Sequence, residues 1–287
     1  LIPEPQWRIA FDTADTLRTN VGKPLIDDWL QTCEAAARAG GYQLQALRGQ
    51  FQTRVKGPAD LVTDADEASQ EAVRRVIANR FPDHVFIGEE RPVGELLGAT
   101  EQLTWIVDPL DGTTNYVHGY PQYAVSVALV RGRELLAGVI YDPVNEQCFV
   151  AGSGRGATCN GVLMNTSKVV AIDEALVAVS LPARVVRDSP DLLDFDQAAQ
   201  VCQAVRRSGS AALNFAYVAK GALDAFWATQ THPWDVAAGV LLVREAGGMV
   251  TSRSGGEFNL WDPHFVAAAN RDLHAKVLDM LRPYKAN

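Results

Sequence analysis

The chain has 287 residues, 47% of them hydrophobic and 21% charged, with a formal net charge of −8 at pH 7. That supplies core for one large domain or two intimately joined lobes, and the acidic balance, with no run of Lys or Arg longer than two, excludes a basic nucleic-acid footprint. The four cysteines (Cys33, Cys148, Cys159, Cys202) lack the spacing of a zinc site or disulfide framework, no apolar run reaches membrane-spanning length and no signal peptide is visible, so a reducing cytoplasm is expected.

Residues 1–25 carry Pro3, Pro5, Gly22 and Pro24 among polar residues and read as an N-terminal extension without assigned chemistry. Residues 26–287 read as a single domain of two joined lobes, about 26–170 and 171–287. From Ile26 to about Leu47 the residues Trp29, Leu30, Cys33, Ala36, Ala37 and Leu44 recur near the helical period, with Gly40 and Gly41 as an interruption. A second helix follows Asp60-Leu-Val-Thr-Asp64: Asp64 and Glu67 have capping-box spacing, Asp66 falls in the first turn, and Ala68, Ala72, Val73, Val76 and Ile77 form its apolar stripe. For each of Asp60, Asp64 and Asp66 taken alone, capping and dipole compensation is the favoured reading. Phe86-Ile-Gly-Glu89-Glu90 closes a short β-like run, and residues 91–102 read as a loop.

The stretch from Leu103 to Gly119 is the most informative. An apolar, β-prone run, Leu103 to Val107, ends in Asp108-Pro-Leu-Asp111-Gly112-Thr113, which places two carboxylates where a buried strand meets a glycine turn. Two such carboxylates repel unless a cation lies between them, and Mg²⁺ takes oxygen ligands while needing few from the protein. Pro109 restricts the residue before it, Gly112 lets backbone N–H groups approach a ligand, and Thr113 adds a hydroxyl. Metal-assisted phosphate chemistry and an acidic, capped turn both fit this segment taken alone.

Beyond it, Tyr123 to Ala151 reads as three strands with turns at Arg131-Gly132 and Asp142 to Asn145. The glycine-rich segment 151–161 lacks phosphate-loop spacing and reads as a structural loop. Residues 175–181 read as a strand, Ser208 to Trp227 as a small-residue helix ended by Gly221 and then a strand, and Asp235 as preceding an apolar helix ended by Gly247-Gly248. His232 reads as structural or at the substrate's edge, since Mg²⁺ prefers oxygen. A closing hairpin at Gly255 to Leu260, a last short strand at Ala267 to Asn270 and a helix over 271–282 complete the chain.

In combination, DLVTDAD (60–66), FIGEE (86–90), WIVDPLDGTTNYVHGYP (105–121), GATCNG (156–161) and PWDVAAGVLLVREAGG (233–248) resemble, in order, the signatures of the inositol monophosphatase family. The resemblance implies an α/β, layered α-β-α-β-α sugar-phosphatase fold, a usually dimeric assembly, and hydrolysis of small phosphate monoesters with two or three Mg²⁺ per site, often inhibited by Li⁺. By motif, Glu89, Asp108 and the Leu110 carbonyl would hold one metal, and Asp108, Asp111 and Asp235 the next. Asp66 and Thr113 would orient the attacking water, with Glu89 beside them. Gly112, Thr113, Asp111, Asp235 and the segment Gly209, Ser210 and Ala211 would meet phosphate or substrate.

Two positions depart from the pattern. The acidic residue that inositol-specific members carry seven places before the Asp of WD is Ala228, which cannot accept hydrogen bonds from substrate hydroxyls. Lys56 stands one residue closer to PADLVT than in the animal enzymes. The resemblance therefore leaves inositol phosphate, another sugar or polyol phosphate, and histidinol phosphate as substrates, and a role beside the transcription machinery as an alternative. Aspartyl-phosphate phosphatases are disfavoured, since they need D-x-D and this chain has D-x-x-D.

Overall fold

The computed structural model describes residues 26–57, 60–90, 101–182, 185–187 and 189–281. The N-terminal extension, nearly all of the expected 91–102 loop and the side chains of Asp60 and Lys56 lie outside the described residues.

The elements run α1 (Ile26–Ala46), β1 (Thr53–Gly57), β2 (Asp60–Thr63), α2 (Asp64–Arg80), β3 (Val85–Gly88), β4 (Leu103–Asp111), α3 (Thr113–Val117), β5 (Ala124–Arg131), β6 (Glu134–Asp142), β7 (Gln147–Gly152), β8 (Gly156–Cys159) and β9 (Val162–Leu163). They continue with β10 (Leu176–Val179), α4 (Pro190–Val201), β11 (Ala204–Arg206), α5 (Ala211–Ala219), β12 (Ala225–Ala228), α6 (Pro233–Glu245), β13 (Met249–Ser252), β14 (Phe265–Ala268) and α7 (Arg271–Met280). Strands β3 to β9 form one sheet in sequence order, and β10 to β14 a second in the order β11-β10-β12-β14-β13.

Side-chain alternation along the strands divides the core into layers. Trp105 and Val107 of β4 and Val125, Val127 and Leu129 of β5 face α1 and α2. Ile106 and the alternate residues Ala124, Ala128 and Val130 face α5 and α6, which are covered on their far side by Phe226, Ala228 and Phe265 of the second sheet. Val177, Ala225, Trp227 and Val266 turn outward onto Ala198 of α4 and Leu273 and Val277 of α7. The result is the layered α-β-α-β-α α/β arrangement.

Several local expectations change. Gly40 and Gly41 do not interrupt α1, which runs through them. They are small because α1 crosses close to its neighbours: a Cβ on Gly40 would lie 2.7 Å from Ser69 Oγ of α2, and one on Gly41 2.6 Å from the Tyr141 ring. The N-cap of α2 is Thr63 rather than Asp64, and the reciprocal acid is Asp66 rather than Glu67, one residue earlier in register. Asp235 does not precede α6 but occupies its third position after His232 and Pro233. The glycine-rich segment is the β7–β8 hairpin, and Gly255 to Leu260 lies in the connection between the paired strands β13 and β14.

Strand β6 and α6 meet at Gly138, where an added Cβ would stand 2.9 Å from the Ala238 Cα and 3.2 Å from its carbonyl oxygen. Backbone cannot yield as a flexible side chain does. Gly138→Ala is expected to destabilise the fold by about 1–3 kcal/mol, as overpacking does in other cores, read as a lowered urea midpoint at unchanged slope.

Candidate active site

The site grows from the parallel pair β3 and β4, in which Gly88 lies opposite Val107. Two parallel strands end side by side, so Glu89, whose N–H still donates to Val107 O at 3.1 Å, emerges beside Asp108. Asp108 pairs with Ser126 and Asp111 with Ala124, and the register slips between them, which turns the strand end into a bulge. By alternation Asp108 shares the face of Ile106, towards α6. On that face Ser126 Oγ donates to Trp234 O at 3.3 Å, tying β5 to the residue before Asp235.

The four aspartates are each held by backbone. Asp108 Oδ1 accepts from Leu110 N at 2.9 Å. Asp111 accepts from the amides of Ala211 at 3.1 Å and Ala212 at 2.8 Å and from Ser210 Oγ, at the N-terminus of α5. Asp235 Oδ2 accepts from His232 N at 2.7 Å. Asp66 Oδ2 takes Thr63 N and Thr63 Oγ1, both at 2.7 Å, while its Oδ1 receives Thr113 Oγ1 at 3.2 Å. Thr113 Oγ1 also lies 3.1 Å from Leu110 O, so its one proton is shared between two acceptors.

The electrostatics are those of crowded acids. Burial pushes Asp108 well above the ordinary carboxylate range, and Glu89, Asp111 and Asp235 push it further. Burial does the same to Asp235, with Glu89 next and Asp111 adding to it, while the His232 amide pulls back. Asp111 is raised to about 6 by burial against the downward pull of Ser210 and the α5 amides. Asp66 is likewise raised to about 6 by burial, opposed by its hydrogen bonds from Thr63 and Thr113. Glu89 and Asp111 thus act on both Asp108 and Asp235. Among the described residues no three His, Cys, Asp or Glu side chains stand converged as a finished metal cage, and the Asp111 carboxylate is bonded to α5 and one oxygen of Asp235 to its own helix N-terminus. The donors are hard oxygens, the set that suits a divalent cation such as Mg²⁺ rather than zinc.

Of the substrate-side segment, Ser210 is wholly buried, and its hydroxyl serves Asp111 and caps α5 by accepting from Leu213 N at 3.2 Å. The Ser210 side chain is thus directed to Asp111 and to the α5 N-terminus. Gly209 is exposed and left-handed, and Ala211 is 8% exposed. Ala228 faces the α5–α6 layer and is fully packed.

Sequence reasoning missed three supports. Ser69 Oγ donates to Pro109 O at 2.7 Å. Gln70 clasps residue 90 by accepting from Glu90 N at 2.9 Å and donating to Glu90 O. Asn115 Nδ2 donates to the carbonyl oxygens of Gln122 at 2.6 Å and Ser208 at 2.9 Å. Polar residues inside an otherwise apolar helix face, as Ser69 is in α2, are the one signal that pointed to such a role.

Comparison with known proteins places this geometry. The model of the family described as "Inositol monophosphatase family" matches residues 26–286. The chain is 39% identical over 269 residues to the phosphatase IMPL1, chloroplastic, of Arabidopsis thaliana, covering 90% of this chain and 71% of that protein. It is 39% identical to the Nus factor SuhB of Pasteurella multocida, covering 87% of this chain and 93% of that one. The solved inositol monophosphatase from Anabaena superposes with a TM-score of 0.79 at 34% identity, covering 89% of this chain and 96% of that one. The chain belongs to the inositol monophosphatase family and is a phosphatase of phosphomonoesters.

Proposed function

We propose that the chain hydrolyses a small sugar or polyol phosphate monoester, with inositol monophosphate as one member of the class, by direct attack of water. The observation that carries this reading is the upward push that Glu89 and Asp111 exert on both Asp108 and Asp235, two buried acids that a nearby positive charge would relieve. In this reading Glu89, Asp108 and the Leu110 carbonyl hold one Mg²⁺, and Asp108, Asp111 and Asp235 the next. When bound, the metal lowers the cost of ionising water and offsets charge on the phosphate and on the departing oxygen.

The chain's own groups do the remainder. With its proton directed towards Asp66 and Leu110 O, Thr113 Oγ1 presents lone pairs that orient a water by accepting from it. Asp66, raised to about 6, is ionised at neutral pH yet basic enough to draw on that proton. The Gly112 and Thr113 amides receive the phosphate, and no covalent enzyme intermediate is needed. Position 228 is alanine, so the acceptor that the resemblance gives inositol-specific relatives is missing, and in this reading the polyol part is bound with less discrimination than in them. We further propose the cytoplasm as its compartment and a homodimer as its assembly. The likeness to proteins named Nus factor SuhB favours a second role as a protein partner of the transcription machinery.

Three outcomes test this. Asp108→Asn keeps the shape while removing one charge from the acid cluster. Turnover should fall by at least about 100-fold, while the melting temperature in chelator stays level or rises because a repulsion is gone; retained turnover removes the assignment.

Metal binding requires the raised carboxyls to release protons. A raised carboxyl pKa favours the metal-free fold at low pH, and that contribution is lost as pH rises through about 6, where Asp66 and Asp111 ionise. Mg²⁺ should therefore raise the melting temperature more at pH 7.5 than at pH 5, and a pH-independent shift would contradict the cluster as its site.

Finally, Ala228→Glu, which sets a carboxyl against the packed α5–α6 layer and so should also lower the melting temperature, should raise kcat/KM for inositol monophosphate relative to other sugar, histidinol and nucleotide monophosphates, by about 10-fold or more for one recovered charged hydrogen bond. An unchanged ranking across that panel would show that position 228 does not set specificity.

A further inference from the structure

Two left-handed glycines from distant turns, Gly112 (φ 94°) and Gly209 (φ 84°), come together at the site. A Cβ on Gly112 would stand 2.8 Å from the Gln122 carbonyl oxygen and 3.2 Å from that of Gly209. The side chain that joins these turns is Asn115, whose amide nitrogen holds both Gln122 O and Ser208 O, the latter 93 residues away in the chain. A Cβ on Gly209 would strike that same amide group at 2.9 Å. From Ser208 the network continues through its hydroxyl to Asn214 Oδ1 at 2.7 Å, inside α5, whose first amides hold Asp111.

A primary amide has two protons, and here both carbonyls satisfied by them belong to loops that carry the site. We propose that Asn115 is a positioning residue: by clasping the turn after β4 to the turn before α5, it sets the spacing between the Gly112–Thr113 backbone and the Asp111–α5 junction, between which the phosphate ester is bound. This rests on the roles given above to Gly112 and Asp111. No other side chain can substitute easily. Asp in its place would set a carboxylate against two carbonyl oxygens, and Ala would leave both without that donor while the two turns, free of covalent connection nearby, drift apart. Displacements of this kind cost far more in rate than in stability.

The experiment compares Asn115→Ala and Asn115→Asp with Ser167→Ala, which removes a partly buried hydrogen bond to Asp224 away from these turns. Each variant is assayed for kcat/KM on p-nitrophenyl phosphate with Mg²⁺, for affinity towards inorganic phosphate by calorimetry, and for melting temperature. Both Asn115 variants should lose about 10- to 100-fold in kcat/KM and bind phosphate more weakly, whereas Ser167→Ala should lower the melting temperature with kcat/KM unchanged. Gly209→Ala should also cost less in kcat/KM in the Asn115→Ala background than in the native one, since the amide it strikes is absent. The proposal is overturned if Asn115→Ala keeps kcat/KM within about twofold of native, or loses activity only in step with melting temperature as Ser167→Ala does. Asp111→Asn separates the two readings: if it stays active, the underlying site assignment fails, and if it is inactive while Asn115→Ala is native-like, only the clasp fails.

Discussion

The structure is organised around an electrostatic conflict. Glu89, Asp108, Asp111 and Asp235 occupy one small region, and the largest charge effects felt by Asp108 and Asp235 come from the other acids. Burial of a carboxylate is unfavourable and a like-charged neighbour makes it more so. Such a cluster persists because the fold is stable enough elsewhere to hold it, with three apolar layers flanking the sheets. In the proposed reading a divalent cation converts the conflict into an attraction, so the feature that strains the free protein is the one that would recruit the metal.

The aspartates of the site are held by backbone hydrogen bonds. Asp66 completes the capping box of α2, Asp111 sits on the first amides of α5, and Asp235 returns to the residue that begins α6. Helix N-termini provide oriented N–H groups and partial positive charge without a full counter-ion that would compete with a metal. The capping and catalytic interpretations of these residues are therefore not rivals. Capping fixes one oxygen of Asp235, and both roles can be served by a group with two oxygens and several lone pairs.

The sequence made the main elements legible where periodicity and turn chemistry agreed. The three strands from Tyr123 to Ala151, the small-residue helix before Gly221 and the final helix follow from pattern alone. Boundaries set by competing caps were less legible: Thr63 and Asp64 are both good N-cap residues, and only the structure shows that Thr63 accepts from Ala65 N. Gly40 and Gly41 read as breakers locally, yet the close crossing of α1 over α2 and Tyr141 favours them within a helix. Least legible were side chains whose partners are remote. Ser69 reaches across 40 residues to Pro109 and Asn115 across 93 to Ser208, and no local pattern encodes such pairings.

The division of labour between the two sheets explains how the chain can keep the family's chemistry while departing from it at position 228. Glu89, Asp108 and Asp111 come from the seven-stranded sheet, with Asp66 and Thr113 beside it, whereas β12 belongs to the five-stranded sheet and packs its inner face, Ala228 included, into the α5–α6 layer. Exchange of an acid for Ala228 alters none of the hydrogen bonds that hold the carboxylates, because those run through α2, α5, α6 and the β4 bulge. In the proposed reading it removes an acceptor for substrate hydroxyls while leaving the phosphate end untouched. Specificity of this kind is a difference between binding energies, so a change confined to the second sheet shifts which alcohol is preferred without demanding any rearrangement of the groups that act on phosphorus.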